Sequence, residues 1–384
     1  MDVTVASTTC WEPPTAAYVH VPFCRHRCGY CNFSVVAGRD DLAEAFLRSL
    51  QWELSQLGEA RDIETLFIGG GTPTHLPPEW LERMLTLVGQ WLRLPQDGEF
   101  SVEANPRDID RERLDVLRAH GVNRISLGVQ SFDQRKLQVL QRDHDEAVAR
   151  DAVTLAAEAI GNVSIDLIFA APEETPIGWQ QDLDIACGLP ITHLSTYALT
   201  YEKGTQFWTR RFKSDLRSAD EATELEMYHR ARRTAAAAGL PQYEISSFAS
   251  RPNRCKHNIH YWLGRGWYGF GPGAAGFVDG RRRTNHRSPT TYIRRSLAGR
   301  SPVQEEDAIT RQQWAFERAA FGVRMMDGVD LAAIARDTGV AIATVRKQEI
   351  EDCRRWGLVE LRQDRLILTE KGIAMADTVS AALL

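Results

Sequence analysis

From residue 16 to about 250 the chain alternates short apolar runs with longer stretches in which apolar residues recur every three or four positions. The short runs are AAYVHV (16–21), ETLFIG (64–69), EFSVEA (99–104), RISLGV (124–129), VSIDLIF (163–169) and HLSTYAL (193–199). They read as strands, while DDLAEAFLRSLQWELSQLG (40–58) and PPEWLERMLTLVGQWL (77–92) between them carry the helical period. Repeated strand–helix units predict a parallel sheet with helices outside it. Six units fit either an open doubly wound sheet or an incomplete barrel, and the polar residues decide. A three-cysteine loop follows the first strand, GGGTPT follows the second, Glu103 closes the third and Gln130 the fourth. In barrels, chemistry gathers where strands end and loops begin, so one shared mouth predicts an α/β partial (β/α)6 barrel over 16–250, after a tail at 1–15.

The remainder breaks this rhythm. Residues 251–304 are irregular and rich in Gly, Arg and aromatics, which reads as a linker or a lid over the barrel. From 305 the pattern becomes two helices (330–339 and 342–357), a hairpin (358–369) and a closing helix (371–383), a small winged-helix-like α+β domain. Its second helix mixes Arg346, Lys347, Arg354 and Arg355 with Glu349, Glu351 and Asp352, which suits a structural or docking module better than a DNA-reading one.

Composition narrows the class. The 384 residues are 43% hydrophobic and 25% charged, enough for one large core and a smaller one. No run approaches the roughly 18 apolar residues of a membrane span, and the start MDVTVASTTCWEPP lacks the regions of a signal peptide, so the expected location is cytoplasmic. The net charge of −5 argues against nucleic acid as main partner. Basic clusters at 209–213 and 280–287 read as solvated faces.

Three of the seven cysteines, Cys24, Cys28 and Cys31, fall in YVHVPFCRHRCGYCNF (18–33) with the spacing C-x3-C-x2-C. In a reducing compartment such crowding reads as metal or redox chemistry. Zinc would need a fourth ligand, His20 or His26, and a cubane iron–sulfur cluster held by three thiolates would leave one iron open to a substrate or cofactor. Tyr30 and Phe33 are placed to pack beside such a cluster and limit water. Gly69, Gly70 and Gly71 let the backbone approach a ligand closely, and no Lys follows them as a phosphate loop requires. Asp166, in an apolar strand, needs a ligand or an Arg partner.

The cysteine loop, FIGGGTPT, VEANP, GVNRISLGVQSF and VSIDLIFAAPEET together resemble the oxygen-independent coproporphyrinogen III oxidase family of radical S-adenosylmethionine (SAM) proteins, over roughly residues 16–300 and more weakly beyond. The resemblance implies a [4Fe–4S] cluster on Cys24, Cys28 and Cys31 with SAM on the open iron. It implies SAM contacts from Gly70, Gly71, Thr72, Glu103, Gln130, Arg142, Asp166 and Tyr18. The family has two branches: one oxidatively decarboxylates coproporphyrinogen III, the other carries heme to apoproteins.

Three features of this chain resemble the heme-carrying branch. Phe33 stands where the oxidases have a fourth cysteine, only about 15 residues precede the first strand, and CKHNIHYW (255–262) matches that branch's H-N-x-x-Y-W motif through His257, Asn258, Tyr261 and Trp262. His257 is the candidate heme ligand, with His260 and Cys255 as competitors, and Trp267 and Tyr268 add aromatic surface. The alternative for the same residues is that His257 and Asn258 bond the lid to the barrel while the aromatics fill core. The family's G-x-G-A-H-[SG] continuation is broken here by Ala275. The implied partners are heme and a heme-accepting apoprotein, with peripheral membrane contact and a homodimer left open. The enzymatic alternative is SAM-dependent porphyrinogen decarboxylation.

Overall fold

Each of the six apolar runs forms a strand: β1 Ala16–Val21, β2 Thr65–Gly70, β3 Glu99–Ala104, β4 Arg124–Gln130, β5 Val163–Phe169 and β6 His193–Ala198. The computed structural model of the chain describes residues 11–213, 216 and 218–384, and Cys10 lies outside them. The six strands are parallel and lie side by side in chain order, so β1 pairs β2 from Ala16 opposite Thr65 to Val21 opposite Gly70. Period-2 alternation sends Ile125, Leu127 and Val129 of β4 into the layer between sheet and helices, and turns Arg124, Ser126 and Gly128 towards the concave interior. Helix Ala43–Ser55 covers the sheet with Phe46, Leu47, Leu50 and Leu54; helix Pro78–Trp91, opened by a proline pair, does so with Leu81, Met84, Leu85 and Val88. Asp110, Asp145 and Thr175 cap the helices that follow β3, β4 and β5.

The sheet is open and wider than the barrel pattern predicts. Beyond β6 it is extended by the antiparallel pair β7 Gln242–Glu244 and β8 Ser247–Ala249. Beyond β1 it continues through β9 Trp267–Phe270, parallel to β1, and then β10 Ala275–Val278, β11 Arg281–Asn285 and β12 Val303–Ala308 in antiparallel order, making twelve strands. This corrects the reading of 251–304 as a linker or lid. These strands are short, glycine-interrupted and charged because β11 and β12 show one face or edge to solvent: Arg283 pairs with Glu306 at 2.7 Å, and Glu305, Glu306 and Asp307 are exposed. β12 also crosses the expected boundary at 304.

What fastens this extension to the barrel is a buried carboxylate. Glu53, on helix Ala43–Ser55, accepts hydrogen bonds from the Gly271 amide at 2.8 Å, Asn285 Nδ2 at 2.6 Å and the Tyr292 hydroxyl at 2.6 Å. Burial pushes its carboxyl up to about 7, against the pull of those three donors.

The C-terminal domain has its own core, including Ala319, Val323, Ile334, Ile350, Leu366 and Val379, and is winged-helix-like. Helix Arg311–Gly322 leads into helices Leu331–Thr338, Ile342–Val345 and Lys347–Arg355; strands β14 Val359–Arg362 and β15 Arg365–Leu368, with the short β13 Val329–Asp330 beside β15, form the wing. The expected closing helix is split at Met375 into Glu370–Ala374 and Ala376–Leu383. Among the contacts that join this domain to the barrel, Trp314 Nε1 donates to the Gly264 carbonyl at 2.6 Å, the Met326 amide donates to the Tyr243 carbonyl at 2.9 Å, and Arg232 pairs with Glu370. Among the described residues no helix is long and apolar enough to cross a membrane.

Replacing Glu53 by Ala strands three buried donors at once. At about 1–3 kcal/mol for each unsatisfied group, partly recovered by water, Glu53→Ala is expected to lose about 2–4 kcal/mol of stability in chemical unfolding. A loss below about 1 kcal/mol would mean that the extension is held by its strand pairing alone.

Candidate functional site

At the C-terminal ends of β1–β5 the loops enclose a cavity of about 170 Å³. Cys24, Cys28 and Cys31 line it together with Gly70, Gly71, Thr72, Glu103, Gln130, Arg142 and Asp166, which brings all but one of the expected cluster and SAM residues to one place. The cysteine loop is pinned from two sides. Arg25 bridges to Asp108 at 3.1 Å and Asp143 at 3.6 Å, and the Phe207 amide donates to the Gly29 carbonyl at 2.9 Å. Tyr30 and Phe33 both line this cavity, Tyr30 packed on the Phe207 ring and Phe33 61% exposed at its outer side.

The glycines after β2 are needed for contacts within the protein. A Cβ at Gly69 would fall 2.5 Å from Glu103 Oε2, and one at Gly70, where φ is +105°, would fall 2.4 Å from the His20 ring. Their absence lets the Gly70 amide donate to Glu103 Oε2 at 2.8 Å. The Gly71 and Thr72 amides are in turn donated to the carbonyls of Val21 and Phe23, tying this turn to the start of the cysteine loop. Gln130 also has a left-handed φ, +68°, where a register shift ends β4 against β5. Such strain in a non-glycine residue collects at binding sites.

The three thiols are free and line one cavity, a donor set that suits a cubane, which takes one thiolate on each of three irons and leaves the fourth open. His20 does not complete a zinc site, since its ring nitrogens engage the Tyr18 hydroxyl at 3.0 Å and the Ser34 carbonyl at 3.1 Å, and burial holds it neutral with a pKa of about 4. Burial pushes the Cys24 thiol up to about 12, against the Thr72 hydroxyl 3.7 Å away, and also raises Cys31. Arg142 sets a guanidinium nitrogen 3.5 Å from Cys28 Sγ while donating to the Gly128 carbonyl at 2.8 Å, a cation placed to offset the negative charge that cluster ligation brings.

A second cavity, of about 520 Å³, lies deeper in the concave face and shares Glu103, Ser126 and Asp166 with the first. Its walls are aromatic: Tyr18, Phe67, Tyr197, Tyr261, Trp262 and Trp267. Tyr18, expected among the SAM contacts, lines this cavity and not the cysteine cavity. Tyr268 points away from it, as alternation along β9 requires. Burial holds the Glu103 carboxyl up at about 7, reinforced by the charge of Asp166. Asp166 is likewise raised by burial, and is steadied by the Ser126 hydroxyl at 3.2 Å, by Ser195 and by the nearby charge of Arg124.

His257 is buried at the foot of this cavity, on helix Lys256–Trp262. Its Nδ1 lies 3.0 Å from Thr65 Oγ1 and its Nε2 2.9 Å from the Tyr261 hydroxyl, and burial keeps it neutral with a pKa of about 3. Ligation of a metal by Nε2 would therefore displace Tyr261. Among the competing ligands, His260 is tied to the Gly266 carbonyl at 2.7 Å and Cys255 lies 3.5 Å from Glu99, neither of them lining the cavity. Ala275 lines it, beside Trp267, whose indole donates to the Ala275 carbonyl at 2.8 Å. Sequence reasoning missed Arg124, Ser126 and Ser195, although alternation along RISLGV puts Arg124 and Ser126 on the same face as Gly128.

The Radical SAM superfamily model matches residues 18–185 and the HemN C-terminal domain model residues 309–375. The heme chaperone HemW of Bacillus subtilis is 32% identical, over 96% of this chain and 99% of its own. HemW of Mycobacterium tuberculosis H37Rv is 33% identical over 97% and 95%. The mitochondrial radical S-adenosyl methionine domain-containing protein 1 of Bos taurus is 32% identical over 94% and 82%. The solved structure of coproporphyrinogen III oxidase (HemN) from Escherichia coli, a radical SAM enzyme, shares the fold with a TM-score of 0.84, over 97% of this chain and 90% of that chain at 22% identity. With matches of this length at its radical SAM and C-terminal domains, the chain belongs to the HemW family of radical SAM proteins.

Proposed function

We propose that this chain is a heme carrier. It binds a [4Fe–4S] cluster on Cys24, Cys28 and Cys31, binds SAM beside it, takes heme into the aromatic cavity and passes it to an acceptor apoprotein in the cytoplasm or at the membrane surface. The observation that carries this reading is the pair of cavities sharing Glu103, Ser126 and Asp166, which would set a mouth ligand and a deep ligand against the same carboxylates. When bound, the cluster would supply an open coordination position for SAM and redox chemistry beside it. The protein's part is binding and orientation. Gly70, Gly71 and Thr72 form the turn that edges the SAM site, Gln130 and Arg142 close its far side, and Glu103 and Asp166 accept from the amino group or ribose. In the deep cavity Tyr261 and Trp262 offer a macrocycle flat apolar faces, and His257 reaches the metal by exchanging its bond to the Tyr261 hydroxyl. The HemW relatives, named heme chaperones, support this reading over porphyrinogen decarboxylation, as does Phe33 in place of a fourth cysteine.

Anaerobic reconstitution is expected to load about four irons per chain with thiolate-to-iron absorption, both lost in Cys28→Ala. A stoichiometric zinc content without iron would sink the cluster.

A Glu103 that must be ionised to receive SAM but is held up at about 7 has to release a proton on binding at lower pH. SAM affinity, followed by anaerobic calorimetry, should therefore rise about tenfold from pH 6 to pH 8 and become nearly flat in Glu103→Gln. A flat profile in the unaltered protein removes Glu103 as the charged contact.

Heme titration of His257→Ala is expected to show about tenfold or greater weakening with a shifted Soret band. An unchanged spectrum and affinity would exclude His257 as ligand, and protoporphyrinogen made from coproporphyrinogen III, SAM and a reductant would restore the enzymatic alternative.

A further inference from the structure

Arg124 opens β4 facing inward and is 2% exposed, on the wall of the aromatic cavity. A buried guanidinium is costly unless its protons are taken up. Among the described residues Arg124 makes no side-chain hydrogen bond, and its Nε is buried without a partner. Arg142, Arg254, Arg324 and Arg346 also bury an unpartnered Nε, but each donates from a terminal nitrogen to Gly128, Asp327, Asp377 and Glu349 respectively. Lys136, the buried lysine, is held by Glu174 and by Asp182. Arg124 is the exception.

The carboxylates near Arg124 are already occupied. Glu99 accepts from the amides of Lys256 at 2.8 Å and His257 at 3.0 Å and lies 3.5 Å from the Cys255 thiol, so it serves the start of helix Lys256–Trp262. Asp166 accepts from Ser126. Both act on Arg124 through their charge without taking its protons. The fork is therefore available to a ligand in a cavity that is largely aromatic and whose other arginine, Arg282, is already paired with Glu317.

We propose that Arg124 is the anchor for a carboxylate on the cavity's planar ligand, so that the site selects a tetrapyrrole in its free-acid form over the same ring with its acids esterified. A planar carboxylate matches the guanidinium fork with two parallel hydrogen bonds. A dianionic phosphate would fit less well, because Glu103 and Asp166 share the cavity wall and would repel the second charge. This assignment rests on the reading that the deep cavity takes heme, and goes beyond it by naming the group recognised and the residue that recognises it.

The test compares iron protoporphyrin IX with its dimethyl ester, titrated anaerobically into the cluster-loaded full-length chain and its Arg124→Gln and Arg124→Lys variants, with thermal melting and cluster absorbance as fold controls. The unaltered protein should bind the acid at least about tenfold more tightly than the ester. Arg124→Gln should bring that ratio close to one by weakening the acid while leaving the ester unchanged, with Arg124→Lys in between. An unaltered protein that binds acid and ester alike overturns the proposal without recourse to any variant, even if Arg124→Gln does not fold. So does a folded Arg124→Gln that keeps the ratio, and in both cases heme binding itself still stands. If the unaltered protein binds neither ring, the heme reading and the anchor fall together.

Discussion

The hydrogen bond from the Gly70 amide to Glu103 holds the mouth of the barrel together. It forms because β2 ends in residues without side chains, so the backbone can lie against the carboxylate on one side and the His20 ring on the other. His20 in turn braces Tyr18 and Ser34, and the next two amides hold the carbonyls that lead into the cysteine loop. The position of the thiols is thus fixed from β2 and β3 as well as from their own strand. A methyl group at either glycine would disturb the carboxylate, the imidazole and the loop together.

Around that bond the concave face concentrates charge. Glu103, Asp166 and Arg124 lie on three successive strands, with serines between them and few compensating ion pairs. The buried Lys136, Glu174 and Asp182 group, by contrast, is neutralised locally. Desolvation without full pairing makes carboxyl groups easy to protonate, and a ligand that brings a complementary charge recovers the lost interaction. The interior of this sheet is therefore arranged for guests at some cost to the empty protein, in the way expected of binding sites.

Much of this was legible in the sequence, for a physical reason. A strand covered by helices must alternate or run apolar, and all six runs appear as strands within one residue at either end. Every residue expected at the cluster and SAM site except Tyr18 lines one cavity, because loops at the ends of parallel strands converge. Three things were hidden. Strands β9 to β12 carry glycines and paired charges in place of an apolar pattern, since their partners are polar neighbours in the sheet. Tyr18 faces the deep cavity because it sits in mid-strand, well below the mouth. Arg124 looked like an ordinary charged residue at the start of a strand, and only its burial and lack of partners distinguish it.

The far border of the sheet bears on how copies of the chain meet. β12 presents Glu305, Glu306 and Asp307 along its free side, each exposed, with two arginines of β11 behind them drawn to Glu306. A thirteenth strand supplied by a second copy of β12 would bring carboxylates face to face at strand spacing. The charges along β12 thus oppose the addition of a like strand at the border where the twelve-stranded sheet ends.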